Sequence, residues 1–231
     1  MTGAVQHSQS GMAHEGAYTV SQVCRILRPS MTARKVHYWL NTDVLSEPLV
    51  HGRQGVATLL TFRQLLEIRA VQHLRDELDF SLPKVRSAFQ FILEHLFAEQ
   101  WISMNFFKAV NGDLGVQLAN GDAMTVPGGQ GVLPTTIPEL DEFVRSTRQS
   151  WEARVLGIEG HSQLVTNARV QAGAPVVLGT RIETSLIASF ADDHCYVPDT
   201  VEELLRMYPS LTQGDVTQAM EFEGIALQPV P

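Results

Sequence analysis

Thr32-Ala33-Arg34-Lys35-Val36-His37-Tyr38-Trp39-Leu40 has the period of a helix with two chemically different sides. At helical spacing Ala33, Val36 and Leu40 fall on a narrow apolar face, while Arg34, Lys35, Tyr38 and Asn41 project from the other. The outer set suits a DNA major groove. Arg can bond guanine bidentately and Asn adenine, while Lys, Tyr or a helix N-terminus can hold phosphate. A solvated helix with two basic residues has the same pattern, so the flanking sequence decides.

Upstream, Thr19-Val20-Ser21-Gln22 reads as a capping box that opens a short helix with Val20, Val23 and Leu27 facing inward, and Pro29-Ser30 then forces a turn. Two short helices about such a turn, the second one basic, make a helix-turn-helix pattern. Downstream, Leu49-Val50 and Val56–Leu60 flank His51-Gly52-Arg53-Gln54-Gly55, a hairpin whose tip would bring Arg53 to the sugar-phosphate backbone. Thr61-Phe62-Arg63-Gln64 opens another helix, running through Leu65, Ile68 and Leu74 towards Glu77.

In this order, helix, turn, helix, wing and helix, Tyr18–Phe89 resembles the winged-helix DNA-binding domain of MerR-type regulators. Tyr18-Thr19-Val20 stands where that family begins its first helix. Met31–Trp39 falls on its Arg-and-aromatic recognition helix, and Val44-Leu45, the wing and the Phe80-Ser81-Leu82 step follow in register. The resemblance implies DNA contacts from Thr32, Arg34, Lys35, His37, Tyr38, Asn41 and Arg53. Two positions depart from the family pattern: His37 replaces a usual Arg, which bears on base preference, and Asp43 replaces a usual Gly, which bears on the turn after the helix.

A formal net charge of −8 at first argues against DNA binding. The charges separate along the chain, however. Tyr18–Arg75 carries eight basic residues against three acidic ones, whereas everything from Asp76 onward carries nine against twenty-one. A basic head on an acidic body fits a DNA binder with a second task. Cys24 and Cys195 stand alone, which argues for reduced thiols and against clustered-thiolate metal sensing. There is no signal-peptide pattern and no long apolar run, so a cytoplasmic location is expected. Residues 1–17 read as a disordered tail, with His7 and His14 as scattered solvated histidines.

The expected fold class is α+β, mostly α. It comprises an N-terminal winged helix-turn-helix with a dimerisation helix over 18–100, a small central antiparallel β region with one helix over 101–160, and a C-terminal three-helix domain, itself helix-turn-helix-like, over 164–231. After Ser81 and Pro83, the residues Val85, Ala88, Phe89, Ile92 and Leu96 form an apolar stripe. In MerR-type proteins a long helix in this place pairs two subunits, so Val85, Phe89, Ile92 and Leu96 are the expected homodimer contacts. Phe106–Val110, Gly115–Leu118 and Ala123–Val126 read as short strands separated by Asn-Gly-Asp turns. Trp101, Phe106 and Phe107 are read as core rather than as an effector pocket. The loop Pro127–Gly131 lacks the following helix and the Lys of a phosphate cradle. Ile137–Arg148 reads as a helix, and Arg154–Ser162 gives no clear signal.

In the C-terminal part, Gly173–Ile182 contains a glycine-flanked apolar strand. Helices follow from Thr184, from Asp199 with Glu202, and from Thr212 with Asp215, the last closed by Gly224. Gly173, Pro175, Gly179-Thr180-Arg181-Ile182 and the later Pro209-Ser210-Leu211-Thr212 resemble the signature of the domain of unknown function 433 family. Its members look like VapB-like antitoxins that accompany PIN-domain ribonuclease toxins. The resemblance implies a toxin-binding surface formed by Arg181, Phe222, Ile225 and Leu227. An Arg suits the carboxylate cluster of a magnesium-dependent nuclease. The acidic residues Glu183, Asp192, Asp193, Asp199, Glu202, Glu203, Asp215, Glu221 and Glu223 suit a basic RNA-binding partner.

No Ser-His-Asp, Cys-His or metal-spaced cluster is present, and no cofactor or catalytic residue is expected. Two functions remain in view. One is an antitoxin that inhibits a PIN-domain toxin and represses its own operon. The other is an effector-responsive MerR-type regulator.

Overall fold

The capping box read at Thr19 is formed: its side chain accepts from the Gln22 amide while the Gln22 side chain accepts from the Thr19 amide. The structure is a computed structural model that describes residues 16–53, 55–95, 105–109, 112–117, 123–126, 138–191, 195–196 and 198–227. In chain order its first half holds β1 (Tyr18–Thr19), α1 (Val20–Ile26), α2 (Ala33–Leu40), β2 (Leu59–Leu60), α3 (Phe62–Asp76), α4 (Leu82–His95), β3 (Asn105–Lys108) and β4 (Leu114–Gln117). Then come β5 (Ala123–Val126), α5 (Pro138–Ala153), β6 (Val155–Ile158), β7 (His161–Asn167), β8 (Pro175–Val177), α6 (Thr184–Ala188), β9 (Cys195–Tyr196), α7 (Pro198–Met207), α8 (Gln213–Glu223) and β10 (Ala226–Leu227). Helix predominates and the sheets are small, so the α+β, mostly α reading holds.

The chain forms two compact units, each assembled from separated stretches. One takes the residues up to Pro29, Gly52–Phe62 and everything from Arg154; the other takes Ser30–His51 and Arg63–Ala153.

In the second unit α3 is buried along Leu65, Leu66, Ile68, Val71 and Leu74. The strands β3, β4 and β5 form an antiparallel meander as the turn signals predict, and Gly112 takes the left-handed conformation that the first turn requires (φ 80°). Phe106 and Phe107 are core residues, as read, and Gly115 leaves the room that the Phe107 ring fills. Helix α5 begins at Pro138 and runs to Ala153, five residues past the predicted end at Arg148.

In the first unit β1 pairs antiparallel with β2, and α1 buries Val20, Val23 and Ile26, with Leu27 beneath its C-terminus. The stretch after Arg154 that gave no signal is β6, followed by β7. Together with β8 they form a three-stranded antiparallel sheet that covers α8. Leu156 and Ile158 alternate inward as a strand requires, but β6 has only four residues and its pairing with β7 shifts register at Gly157/Ile158, so the segment is too short for a period-2 reading. Three helices follow as expected, with different bounds: α6 ends at Ala188 rather than Phe190, and α7 already begins at Pro198, so Asp199 lies within its first turn. Thr212 and Asp215 complete a capping box, and Gly224 closes α8 in the left-handed conformation.

Tyr18 joins these parts. Its ring is fully buried and tilted against Phe62 at 6.3 Å. Thr166 Oγ1 donates to the Gly173 carbonyl at 2.5 Å and shares a 3.0 Å hydrogen bond with the Tyr18 hydroxyl. A Cβ on Gly173 would lie 2.5 Å from the Tyr18 ring and one on Gly16 2.9 Å from it, so glycines flank the phenol at both points. Gln171, Ala172 and Gly173 are all left-handed (φ 47°, 53° and 91°), which costs a non-glycine residue roughly 1–2 kcal/mol. Such strain persists only where surrounding contacts over-determine it.

Burial pushes the Tyr18 phenol up to about 12 from the ordinary 10.0, the Thr166 hydrogen bond offsetting part of the shift. The fold therefore favours the neutral phenol. Its contribution is complete below pH 10 and is lost as pH rises through about 12. At roughly 1.4 kcal/mol per unit this is on the order of 3 kcal/mol. Urea midpoints measured at pH 9 and pH 11.5 should fall steeply for the native chain. Tyr18→Phe should show a shallower fall, and equal slopes would remove Tyr18 as the alkaline trigger.

Candidate functional site

Helix α2 begins at Thr32, whose Oγ1 accepts from the Lys35 amide at 3.3 Å. Its inward face consists of Val36 and Trp39, both buried, with Met31 beside the cap. Ala33, read as part of that face, is exposed. It lies in the first turn, and Trp39, three residues beyond Val36, supplies the apolar bulk instead. Arg34, His37, Tyr38 and Asn41 are exposed and recur at three- and four-residue spacing, so they share one face; Tyr38 is 54% exposed despite its ring. Lys35 is different. Its ammonium donates to the Ser30 carbonyl at 3.1 Å and lies 3.8 Å from Asp76, so it braces the entry to α2.

The exit from α2 is also fixed. Asp43 adopts the left-handed conformation itself (φ 52°), which Asp tolerates better than most residues, so the turn forms without the family's Gly. Beyond it Glu67, buried on α3, accepts from the Ser46 amide (2.9 Å), the Ser46 hydroxyl (2.8 Å) and Arg63 Nε (3.1 Å). Gln64 donates to the carbonyls of Ser46 and Glu47 at 2.8 and 2.7 Å. Sequence reading counted Glu67 as an acidic residue and Gln64 as a cap; both clamp the loop that follows the recognition helix.

The wing is a narrow hairpin. Arg53 and Val56 exchange backbone hydrogen bonds of 3.1 and 2.8 Å, Gly55 is left-handed (φ 80°), and the Gly52 amide donates to Thr58 Oγ1 at 3.1 Å. Arg53 is exposed as expected, and so is Val56, which the sequence reading did not single out.

Of the expected dimer contacts, Val85 and Phe89 are buried within the chain itself, with Ala88 between them; α4 packs on β4 and β5, and Phe89 lies 6.1 Å from Phe106. The side chains of Ile92 and Leu96 lie outside the described residues.

In the C-terminal domain the signature residues divide by task. The Val177 amide donates to the Ile182 carbonyl, closing a hairpin. Thr180 fastens its tip: its hydroxyl donates to the Val177 carbonyl at 2.9 Å and accepts from the Ile182 amide at 3.1 Å, while Gly179 supplies the left-handed residue (φ 76°). Arg181 and Leu178 are exposed on this tip, Leu178 to 53%. Leu186 on α6 and Met207 on α7 are also exposed apolar residues that sequence reading missed. Val176-Val177-Leu178 reads as one core run, and only the turn that follows separates the third member.

Phe222, expected at the partner surface, is fully buried, with Arg25 5.5 Å over its ring and the His161 ring edge-on at 5.6 Å. It has no area to offer a partner. Ile225 is half-buried and its amide caps α8 at the Met220 carbonyl; Leu227 lies in β10, its side chain outside the described residues. The acidic set thins as well. Asp215 is spent on the Thr212 cap, and Glu223 pairs with Arg25 and accepts from Thr184 at 2.5 Å. Glu202, Glu203 and Glu221 remain exposed, Glu183 accepts from Ser185, and the side chains of Asp192, Asp193 and Asp199 lie outside the described residues.

Comparison with known proteins gives each segment a family. Residues 18–92 match the MerR HTH family regulatory protein, and residues 164–222 match the protein of unknown function family DUF433. The chain thus carries a MerR-type helix-turn-helix segment and a DUF433 domain. No curated protein matches it. Among solved structures, the crystal structure of Rv2018 from Mycobacterium tuberculosis is similar in fold: 14% identity, a TM-score of 0.51, and coverage of 88% of this chain and 96% of that one. Among the described residues no helix is long and apolar enough to cross a membrane.

Arg34 on α2 and Arg53 on the wing are expected to act differently on DNA. Arg34→Ala should weaken binding to a fragment of the gene's own upstream region by about 1–3 kcal/mol and relax its sequence preference. Arg53→Ala should weaken all DNA alike and reduce the salt dependence. Gel-shift titrations at two salt concentrations distinguish these outcomes, and an Arg34→Ala affinity equal to the native one would remove α2 from the groove.

Proposed function

We propose that this protein is the antitoxin of a type II, VapBC-like pair. Its MerR-type segment represses its own operon, and its DUF433 domain binds and inhibits a PIN-domain ribonuclease toxin. The observation that carries the reading is the pairing of these two segments in one chain. DNA-binding regulation follows from the first segment; the toxin is the partner that the second segment's resemblance implies.

The surface that supports it is the hairpin tip after β8. Gly179 and Thr180 are occupied in holding the turn, whereas Arg181 and Leu178 point to solvent, with Leu186 exposed on the next helix. A guanidinium and a leucine exposed on one hairpin tip combine an anchor for a carboxylate cluster with apolar area that a partner can desolvate. Glu202, Glu203 and Glu221 add the negative charge that steers a basic, RNA-binding partner. The tip replaces Phe222 as the main contact, while Arg181 keeps its expected role.

On the DNA side a two-fold operator calls for a homodimer. Because Val85, Ala88 and Phe89 already pack inside the chain, Ile92 and Leu96 are the stripe positions left for a second copy. Light scattering should give a dimer at micromolar concentration and a folded monomer for Ile92→Asp; a native monomer would remove the dimer from this account.

The toxin assignment is tested with the neighbouring reading frame in the operon, co-expressed with the full-length chain. The two should co-purify, and RNA cleavage by the partner should be blocked. Leu178→Asp combined with Arg181→Glu should abolish the inhibition by at least tenfold, a loss of about 1.4 kcal/mol or more, and leave DNA binding intact. Undiminished inhibition by that variant would move the contact elsewhere. A neighbour with no nuclease activity and no affinity for the chain would favour an effector-responsive regulator.

A further inference from the structure

We infer that β1 and the left-handed turn Gln171–Gly173 form a latch by which the C-terminal domain holds the first helix and the wing strand of the DNA-binding segment in their folded state. The helix-turn-helix is divided between units: β1, α1 and β2 belong with the C-terminal domain, and the recognition helix α2 belongs to the other unit.

Three features make the latch. The Ala17 amide donates to the Ala172 carbonyl at 2.7 Å, a carbonyl that the left-handed backbone presents. The Tyr18 ring occupies the space that a side chain on Gly173 would need, and Thr166 ties its hydroxyl to the Gly173 carbonyl. At the far end of α1, Arg25 pairs with Glu223, a residue 198 positions away that also holds Thr184 of α6. Glu223 is largely buried, so loss of Arg25 would leave an uncompensated carboxylate.

Local opening follows contiguous packing rather than sequence neighbourhood. Residues 18–27 and 59–62 therefore open with the C-terminal domain, whereas α3, adjacent to them in sequence, opens separately. Any ligand that binds only the folded C-terminal domain stabilises α1 and β2 by mass action, and so favours the DNA-binding conformation of the segment they belong to. The C-terminal domain is thereby a regulator of the DNA-binding head from within the same chain. This conclusion depends on packing alone and stands apart from the antitoxin reading.

Hydrogen exchange on the full-length chain, with no DNA or partner added, tests it. In native protein, peptides covering 18–27, 59–62 and 164–177 should share one opening rate. Gly173→Ala should raise that rate in all three by about tenfold or more, leaving peptides covering 63–76 unchanged. Thr166→Val, which removes only the hydroxyl, should give the same pattern at smaller amplitude and serves if Gly173→Ala does not fold. The latch is refuted if 164–177 accelerates in Thr166→Val while 18–27 does not, or if 18–27 exchanges together with 63–76.

Discussion

The packing of the Tyr18 ring between Gly16, Gly173 and Phe62 is the constraint on which the first unit depends. Removing a phenol from water is favourable for the ring and unfavourable for the hydroxyl unless it is bonded, and Thr166 supplies that bond. The same threonine satisfies the Gly173 carbonyl, so the polar part of the cluster is closed. The strained backbone at 171–173 follows from this arrangement. Any side chain at 173 would meet the Tyr18 ring at 2.5 Å and would have to adopt a left-handed backbone as well. The glycine of the DUF433 signature is thus explained by a tyrosine some 150 positions earlier, which belongs to the MerR-type segment.

Charge is allotted by the same logic. Sequence composition gives an acidic body, but several of its carboxylates are structural: Asp215 caps α8, Glu223 neutralises Arg25, and Glu67 anchors the loop after α2. Each exchanges hydration for two or more directed hydrogen bonds or an ion pair, which buried carboxylates require. Lys35 is spent in the same way, on Ser30 and Asp76. What remains exposed is smaller and more informative than the totals. On α2 it is Arg34, His37, Tyr38 and Asn41, and on the C-terminal domain it is Arg169, Arg181 and Arg206 with Glu202, Glu203 and Glu221.

The features legible in the sequence are those fixed within a few residues. Thr19 with Gln22 and Thr212 with Asp215 are reciprocal bonds across three positions, and Asn-Gly-Asp between alternating apolar runs determines the first hairpin of the central meander. The illegible features are those fixed at long range. β6 alternates over only four residues, and what makes it a strand is its pairing with β7. Phe222 and Ile225 look like one apolar tail, yet only Phe222 is enclosed, by Arg25 from α1 and His161 from β7. Exposure of Leu178 depends on a hydrogen bond between Val177 and Ile182 that no composition rule anticipates. Family resemblance located both segments correctly and left open which of their residues are free to act.

The two departures from the MerR-type pattern illustrate how those gaps close. Asp43 occupies a left-handed position, and the clamp of Ser46 and Glu47 on Glu67 and Gln64 holds the loop just beyond it. The modest strain of a non-glycine there is borne by four hydrogen bonds within the following four residues, so the turn survives the substitution. His37 has no such structural compensation: it is exposed on the face shared by Arg34, Tyr38 and Asn41. Arg there would present a fixed fork of donors, whereas an imidazole presents two ring nitrogens. The change at Asp43 is absorbed by the loop that follows it, whereas the change at His37 alters the chemistry of an exposed helix face.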